Sequence, residues 1–454
     1  MTDKAQALQR AREDIYAQAT IADFGKRKPE FQGLGRKRRP SPIGLQEVVC
    51  VQACRTPYGR LGGGLKGYDA AQLGALAIQE VLRRVQDSLQ PGDVDYVFMG
   101  QVVPAGCGQV PSRQASILAG LPESVPSITV NKVCSSGIKT VDLGSQMIQL
   151  GRAEVVIAGG QESMSNGPYA LPEMRFGQRM GLPEARVLDL MVYDGLWDPF
   201  YNRHMALHGS ETSDEFGFTR EDNDAWALNS QQAAARAMQE GKLQGEVFPV
   251  QVGSGKKARV LEQDEQPRPE TTMEALAKLP PVFNHQSAVT GGLGSVTAGN
   301  APGINDGGDV CLLMSGPKAQ ELGLKPLFRI LDYAEVSQPT KDIATVPGLA
   351  ISKLLEQNQM SIQDVDLIEI NEAFAAVTLI SARSILGLSL EETQAKVNVN
   401  GGAIAYGHPI GATGARIVMT LAYELRRRGG GLGVCGICSG LAQGDAMLIR
   451  VDAE

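Results

Sequence analysis

The chain has 454 residues, of which 43% are hydrophobic and 20% charged, so it has the composition of an ordinary globular protein with room for several domains. Its formal net charge of −7 gives no general attraction to nucleic acid or to an anionic membrane, and it lacks the run of about eighteen apolar residues that a membrane span requires. The cysteines number 7 and are scattered, which favours a reducing compartment, here predicted to be the cytoplasm, over a disulfide framework.

Residues 1–45 differ in composition from the rest. They are rich in Lys, Arg and Gln, lack the apolar centre of a secretory signal, and carry too many acidic residues for a typical transit peptide. A basic cluster lies at residues 36–39. We predict a partly helical surface arm, in which this cluster is a solvated charge run; docking or nucleic-acid binding is the alternative.

After residue 46 the pattern alternates between strands and helices. β-branched and apolar runs predict strands at residues 48–51, 96–99, 128–130 and 155–158. Apolar residues at helical spacing predict helices at residues 70–89, 111–120 and 138–150. Such alternation is typical of a mainly parallel sheet covered by helices.

The last third of the chain repeats this order, with helices at 348–357 and 414–428 and strands at 367–370 and 432–437. Residues 397–400 correspond to residues 128–131, at a similar distance after an Asp-Val-Asp sequence. We interpret this as a duplicated α/β unit whose halves share one buried helical layer. The predicted units are the extension 1–45, an N-terminal half 46–165 and 292–318, a loop-rich insertion 166–291, and a C-terminal half 319–454.

Cys134 lies at the predicted junction between a strand and a helix. Free N–H groups and the helix dipole at such a position favour a thiolate, and the small residues that follow leave room for a bulky substrate. A nucleophile and a buried structural cysteine are both compatible with this stretch alone.

Two polar residues occupy corresponding places in the second half. His408 lies in a Gly-rich loop, at the position that Cys134 takes in the first half, and its imidazole could accept a proton from the thiol. Asn371 follows a buried strand, where an amide could orient water or bind a substrate oxygen. A packing histidine and a helix N-cap are the alternatives.

The last strand ends in Cys435-Gly436-Ile437-Cys438. A redox or zinc pair is disfavoured, because no second such motif or nearby His completes four ligands and because a strand directs the two thiols to opposite faces. Cys438 could instead face the same cavity as Cys134 and act as an acid and base. The loop at residues 295–300 could contact a ligand through its backbone.

Five motifs in register resemble the thiolases over residues 46–454. They are Asn131-Lys132-Val133-Cys134-Ser135-Ser136-Gly137, Gly159-Gly160-Gln161-Glu162-Ser163-Met164-Ser165, Asn371-Glu372-Ala373-Phe374, Gly407-His408-Pro409-Ile410-Gly411-Ala412, and Cys438-Ser439-Gly440. The resemblance implies an α/β thiolase fold, in which two duplicated halves form five α-β-α-β-α layers with an inserted loop domain.

The resemblance also implies site roles. Cys134 would accept the acyl group, His408 would activate it, Cys438 would move the α-proton, and Asn371 would hold a water beside the thioester oxygen. The backbone N–H of Gly440 would join that of Cys134 in a second oxyanion hole. The implied reaction is reversible thiolytic cleavage of 3-oxoacyl-CoA, or Claisen condensation of acyl-CoA units, through an acyl-cysteine.

The resemblance implies CoA as a substrate, with no bound cofactor and no metal, and a homodimer or homotetramer without nucleic-acid partners. The implied contacts to acyl-CoA and CoA are His204, Met205, Ala298 and Phe374. Leu441 and Pro302 depart from the family pattern, and so do residues 206–212 after His204-Met205.

These departures leave an alternative, a thiolase relative that binds acyl-CoA or lipid and is either non-catalytic or of narrowed substrate specificity. A decarboxylating or carrier-protein condensing enzyme is disfavoured, because that reading expects a Cys-His-His set where this chain has Asn371 and Cys438.

Overall fold

The computed structural model describes residues 45–177, 186–283, 286–287 and 290–453. The predicted arm thus lies outside the described residues except for its last position. The strands are β1 Val48–Arg55, β2 Gly59–Arg60, β3 Tyr96–Gly100, β4 Ser127–Val130, β5 Val155–Ser163, β6 Tyr169–Ala170, β7 Leu188–Asp189, β8 Trp197–Asp198, β9 Arg203–His204, β10 Val250–Val252, β11 Arg259–Leu261, β12 Asn305–Ser315, β13 Phe328–Ser337, β14 Leu367–Ile370, β15 Gly431–Ser439 and β16 Gln443–Val451. The α-helices are α1 Ala70–Arg83, α2 Pro111–Leu118, α3 Ser136–Gln149, α4 Leu190–Gly195, α5 Met205–Glu215, α6 Arg220–Gln239, α7 Met273–Ala277, α8 Gly316–Glu321, α9 Val346–Gln357, α10 Ala375–Leu379, α11 Leu390–Lys396, α12 Ala403–Tyr406 and α13 Thr413–Arg427.

The main sheet consists of two half-sheets. The N-terminal one has the strand order β4-β3-β5-β12-β1, and the C-terminal one has the order β13-β16-β15-β14. They join where residues 48–50 of β1 pair with residues 328–330 of β13. Helix α1 covers the outer face of β5 and β12, α9 covers β13, β15 and β16, and α3 and α13 lie between the halves. This α/β arrangement has the five layers predicted above.

The sheet is more antiparallel than predicted. Within the described residues, parallel pairing joins β3 to β4, β3 to β5 and β14 to β15. Antiparallel pairing joins β12 to both β1 and β5, and β16 to both β13 and β15. The prediction of mainly parallel sheets was wrong because these strands are buried on both faces, β12 along its whole length. Double burial removes the polar alternation that usually identifies an antiparallel strand.

The central helices α3 and α13 meet backbone to backbone near their first turns. A Cβ atom placed on Gly137 would lie 2.6 Å from the Ala412 carbonyl oxygen, and one placed on Gly414 would lie 2.3 Å from the backbone nitrogen of Ile138. No side chain larger than hydrogen fits at either position without movement. The two loops that precede these helices, one in each half, are therefore brought together.

Local signals explain how well individual elements were predicted. Helix α6 begins after Thr219, which forms a capping box with Asp222. Helix α1 ends at Arg83, earlier than predicted, because the Val85 N–H bonds the Leu82 carbonyl and closes a 3₁₀-type turn. Residues 397–400 are no strand: a single bridge joins Val397 to β14.

Residues 166–291, the proposed insertion, contain loops, short hairpins and helices α4 to α7. Its hairpins are β6 with β7, β8 with β9, and β10 with β11. In the described ranges, no helix has the length and the apolar character that a membrane span requires.

Candidate active site

Cys134 lies in the turn between β4 and α3, as predicted, and 2% of its surface is exposed. Ser136 holds this turn: its Oγ accepts a hydrogen bond from the Lys132 N–H (2.8 Å) and donates one to the Val133 carbonyl (2.6 Å). Val133 has a left-handed backbone (φ 46°), which is costly for a β-branched residue. The thiol is thus presented at the start of α3 by a strained turn that side-chain hydrogen bonds maintain.

Burial governs the ionisation of this thiol. Removal from water raises the pKa of Cys134 to about 12, a backbone N–H bond lowers it in part, and the Glu162 carboxylate raises it further. The helix start would favour a thiolate, whereas burial raises the thiol pKa and favours the protonated form. Cys134 needs a proton acceptor to become a nucleophile.

This pKa predicts how Cys134 reacts with iodoacetamide. Below the thiol pKa the thiolate fraction increases about tenfold per pH unit, so the alkylation rate should keep rising from about pH 6 to about pH 10 without a plateau. Mass spectrometry of the Cys134 peptide gives this rate, and Cys134→Ser identifies the background from other thiols. A plateau already reached near neutral pH would mean that a thiolate exists at rest and would contradict the prediction.

His408 is held from both sides of its ring. Its Nδ1 lies 2.8 Å from the Oγ1 of Thr413, and that hydroxyl donates its own proton to the Pro409 carbonyl at 3.0 Å. Thr413 must then accept from His408, so Nδ1 carries the imidazole proton and Nε2 is the unprotonated nitrogen, which faces the Asn371 amide. The backbone N–H of His408 is fixed by the Oδ1 of Asn305 at 3.0 Å. The ring is therefore oriented as a base through Nε2.

The imidazole of His408 is neutral at rest. Burial lowers its pKa to about 3, and the positive charge of Arg416 lowers it further. A neutral ring can accept a proton from a thiol, whereas an imidazolium could not. Before the reaction, Cys134 is therefore a protonated thiol and His408 is a neutral imidazole.

Asn371 lies beside His408 within the C-terminal half. Its Nδ2 is 3.4 Å from the Nε2 of His408, and its backbone N–H donates to the Gly436 carbonyl at 3.0 Å. The side chain is fully buried, and its Oδ1 has no hydrogen-bond partner among the described residues. That oxygen can accept a bond from a water or a substrate group.

The Cys438 loop contacts the Cys134 turn. Ser439, next to Cys438, donates a hydrogen bond from its Oγ to the Lys132 carbonyl. A Cβ atom on Gly440 would lie 3.0 Å from the Cγ2 of Val133. Burial raises the pKa of Cys438 well above its usual range, and the nearby Cys134 raises it further. Both predicted thiols and Gly440 therefore meet at one place.

Cys435 faces away from Cys438. Its Sγ donates to the Met447 carbonyl at 3.7 Å, and it belongs to the apolar cluster between the half-sheets, whereas Cys438 belongs to the outer cluster beneath α9. Across the described residues, no group of three or more His, Cys, Asp or Glu side chains could hold a metal ion.

Leu441 and Ala442 connect β15 to β16 with left-handed backbones (φ 61° and 52°). Glycine or asparagine is usual there, because a Cβ atom crowds the following carbonyl. Leu441 is 37% exposed. The departure from the family pattern thus places strain in the turn directly after Cys438.

Leu441→Asn should relieve part of that strain. We expect the free energy of unfolding in urea to increase by about 0.5–1 kcal/mol, because asparagine tolerates the left-handed conformation better. Leu390, 49% exposed at the start of α11, provides the control: Leu390→Asn has no such strain to relieve and should not stabilise. A lower stability for Leu441→Asn would show that packing of the leucine outweighs the strain.

The residues predicted to contact acyl-CoA or CoA lie on adjoining elements. His204 caps α5 through its Nδ1, which accepts from the Ala206 N–H at 3.1 Å, and burial lowers the pKa of His204 to about 4. Met205 and Phe374 belong to one apolar cluster. Ala298 is exposed.

The loop that carries Ala298 is attached to the Phe374 segment. The carbonyl of Asn300 accepts from the Ala375 N–H at 2.9 Å, one residue beyond Phe374. The Phe374 ring in turn packs on α5, where a Cβ atom on Gly209 would lie 2.7 Å from its Cδ2. The insertion, this loop and the Asn371 segment are thus packed against one another.

Three polar residues around the site were not predicted. Thr413 fixes the His408 tautomer, and Glu162 accepts three backbone N–H bonds. Glu372 accepts bonds from Trp226, Ser230 and Asn398 and thereby ties α6 to the Asn371 turn. Glu162, Glu372 and Thr413 all lie in or beside the sequence motifs, which indicated their location, but most partners of Glu162 and Glu372 are distant in sequence.

Comparison with known proteins identifies both halves. The family model described as thiolase, N-terminal domain matches residues 48–317, and that described as thiolase, C-terminal domain matches residues 324–451.

Similar proteins match along almost their full length. An acetyl-CoA acetyltransferase of Pseudomonas aeruginosa is 46% identical, with 90% of this chain and 100% of that protein covered, and one of Syntrophomonas wolfei is 43% identical, covering 89% and 99%. The crystal structure of human mitochondrial 3-ketoacyl-CoA thiolase has a TM-score of 0.84 at 36% identity, covering 90% of this chain and 100% of that one. That of Bacillus anthracis acetyl-CoA acetyltransferase has a TM-score of 0.83 at 39% identity, covering 90% and 99%. The chain belongs to the thiolase family of acyltransferases.

Proposed function

We propose that this enzyme cleaves 3-oxoacyl-CoA with CoA and, in reverse, condenses two acyl-CoA units through an acyl group carried on Cys134. The observation that carries the proposal is the meeting of two loops from opposite halves. One loop presents Cys134 against the Cys438 turn, and the other presents a neutral His408 whose unprotonated Nε2 lies beside the Asn371 amide. A thiol, a base and a second thiol are the groups that a thioester Claisen reaction needs.

In the cleavage direction, His408 Nε2 takes the proton of Cys134, and the sulfur attacks the 3-oxo carbon of the substrate. The bond between C2 and C3 breaks, its electron pair passes to the acetyl-CoA enolate, and Cys438 protonates that carbon. His408 passes its proton to the Cys438 thiolate and, now neutral, takes the proton of CoA as the CoA sulfur attacks the acyl-cysteine. The Cys134 thiolate leaves and recovers its proton from His408.

In both steps, negative charge develops on a substrate oxygen and must be stabilised by hydrogen-bond donors. We assign one oxyanion position to His408 and a water held by Asn371, whose Oδ1 is free to accept a bond from that water. The second position falls to the backbone N–H groups of Cys134 and Gly440. Such donors, fixed before the reaction, commonly contribute a factor of about 10²–10³ each.

We propose that CoA enters as a substrate along the insertion, without a resident cofactor or metal. Met205 and Phe374 pack in one apolar cluster, and the loop of Ala298 is hydrogen-bonded to the residue after Phe374, which supports a path for CoA along these elements. Low polarity suits a pantetheine chain, and burial keeps His204 uncharged. Because several relatives are named acetyl-CoA acetyltransferases, acetoacetyl-CoA is the first substrate to test.

The test is direct. The loss of acetoacetyl-CoA on adding CoA, followed by the absorbance of its magnesium enolate, should require this protein, and a series of longer 3-oxoacyl-CoA substrates would define the chain length. Lack of turnover with every member of the series would overturn the proposal and favour the non-catalytic acyl-CoA-binding alternative.

We further propose a homodimer formed through the edge of the N-terminal half-sheet. Strand β4 is the last in its half-sheet, and its Ile128 is 44% exposed, with Ile117 and Leu118 of the neighbouring α2 exposed by 42% and 53%. An apolar sheet edge is a favourable surface for pairing with a second copy. Ile128→Lys should halve the mass measured by light scattering, whereas Val260→Lys, at similar exposure in β11, should not. A monomeric wild-type protein would contradict this, and a tetramer would require a second interface.

The remaining proposals concern organisation and location. We propose the domain division given above, in which the insertion at 166–291 separates the first strands of the N-terminal half from its β12 strand. A cytoplasmic location is proposed from the cysteines, all seven of which are unpaired thiols.

A further inference from the structure

Glu162 is a buried carboxylate whose bonds go to backbone groups. Its Oε2 accepts from the Val102 N–H at 2.8 Å and from the Gly411 N–H at 3.0 Å, and its Oε1 accepts from the Val103 N–H at 3.2 Å. The side chain is fully buried, and among the described residues no cationic side chain forms an ion pair with it. A buried acid without a cation is costly, so a role beyond packing is expected.

The three donors come from two loops in different halves of the fold. Val102 and Val103 follow β3 of the N-terminal half-sheet, whereas Gly411 lies three residues after His408 in the C-terminal half. The His408 loop is pressed onto that half-sheet: a Cβ atom on Gly160 would lie 2.1 Å from the Gly411 carbonyl oxygen, and one on Gly411 would lie 2.6 Å from Oε2 of Glu162. Glu162 therefore links the loop that carries His408 to the half-sheet that carries Cys134.

We propose that Glu162 is a positioning residue that fixes the His408 loop against the half-sheet carrying Cys134 and so sets the approach of the imidazole to the thiol. The inference rests on the proposed function. Glu162 touches neither substrate nor imidazole: it acts through Gly411, which is followed by Ala412 and by Thr413, the residue that holds Nδ1 of His408. Displacing a catalytic group by about 1 Å can cost about 10²-fold in rate.

The charge of Glu162 supports this role. Burial raises its pKa to about 7, the three backbone N–H bonds lower it in part, and Asp306 of β12 raises it. The titratable groups that face it are Asp306, Cys134 and Cys107, and the Glu162 carboxylate in turn raises the pKa of both thiols. The ionised Glu162 carboxylate thus disfavours the Cys134 thiolate. It also holds in place the loop of His408, the base that receives the Cys134 proton.

Glu162→Gln tests the inference, since the amide keeps the shape but loses the charge and one acceptor. We expect kcat for acetoacetyl-CoA cleavage to fall about 10- to 100-fold with KM changed less than about 3-fold. We also expect the pH profile of Cys134 alkylation to move to lower pH, because a nearby negative charge is gone. A merely structural role would lower the melting temperature without moving that profile.

Glu246→Gln is the matched control. Glu246 is also buried and accepts bonds from Arg55 and Thr420, and its hydrogen bonds within the described residues do not reach residues 408–413. This variant should lose stability and keep kcat and the alkylation profile. An unchanged kcat or an unchanged profile in Glu162→Gln, with the control as expected, would overturn the inference.

If Glu162→Gln fails to fold, Gly411→Ala pushes the same loop away from the carboxylate, since its Cβ would lie 2.6 Å from Oε2. The same loss of kcat is then expected, and normal turnover would overturn the inference. A wild-type protein without turnover would instead refute the proposed function, while the alkylation profiles would still decide whether Glu162 acts on Cys134.

Discussion

Cys134→Ser should abolish both partial reactions. The hydroxyl is a far weaker nucleophile than a thiol, and no acyl-serine should form, so cleavage of acetoacetyl-CoA is expected to fall by a factor on the order of 10⁴ or more. The exchange of labelled CoA into acetyl-CoA, which needs only transfer of the acyl group to and from residue 134, should be lost as well. Mass spectrometry after incubation with acetyl-CoA should show the acetyl adduct in the wild-type protein only.

Cys435→Ser is the matched control for this substitution. Cys435 is equally buried but belongs to the cluster between the half-sheets and is bonded to the Met447 carbonyl. Its variant should keep the acetyl adduct and most of the turnover. Normal cleavage by Cys134→Ser would mean that the acyl group is carried elsewhere, and the proposed mechanism would be wrong.

Cys438→Ala should separate the two reactions that Cys134→Ser removes together. Condensation and cleavage both require proton transfer at the α-carbon and should fall about 10²- to 10⁴-fold, the usual range for loss of a general acid or base. Exchange of labelled CoA into acetyl-CoA does not involve the α-carbon and should continue. The acetyl adduct on Cys134 should therefore still be detected.

The outcome that contradicts this assignment is equally specific. Loss of exchange together with condensation would mean that Cys438 is needed for acyl transfer itself, or that its removal displaces the Cys134 turn through the Ser439 contact. Exchange of the α-protons of acetyl-CoA with solvent measures the proton transfer by itself. If the turn were displaced, this exchange would depend on Cys438 only indirectly. Wild-type rates of the exchange in Cys438→Ala would remove Cys438 from the mechanism.

Local signals in the sequence carried most of the fold and the location of the site. The strand, turn and helix around Cys134 follow from β-branched residues before it and helical spacing after it, and the capping box of Thr219 set the start of α6. The duplicated order of elements predicts that His408 occupies the position in the second half that corresponds to Cys134. In the structure, the close approach of α3 and α13 at Gly137 and Gly414 brings these two loops together.

What the sequence did not reveal depends on the folded structure and not on local pattern. The antiparallel partners of β12 are hidden because both its faces are buried, and the tautomer of His408 depends on a hydroxyl whose proton is already used by Pro409. The ionisation of Cys134 is a further case: its position at a helix start can be read from the sequence, but its burial, which raises the thiol pKa, cannot.

The contact between Ser439 and the Lys132 carbonyl joins positions 307 residues apart in the chain. A ribosome therefore completes the turn of Cys134 long before it has made the loops of His408 and Cys438. During that interval the nascent polypeptide carries the acceptor sulfur without the base that activates it. Unfinished or prematurely terminated chains should consequently stay unacylated in a cell full of thioesters, and activity should begin only when the last strands have been synthesised and docked.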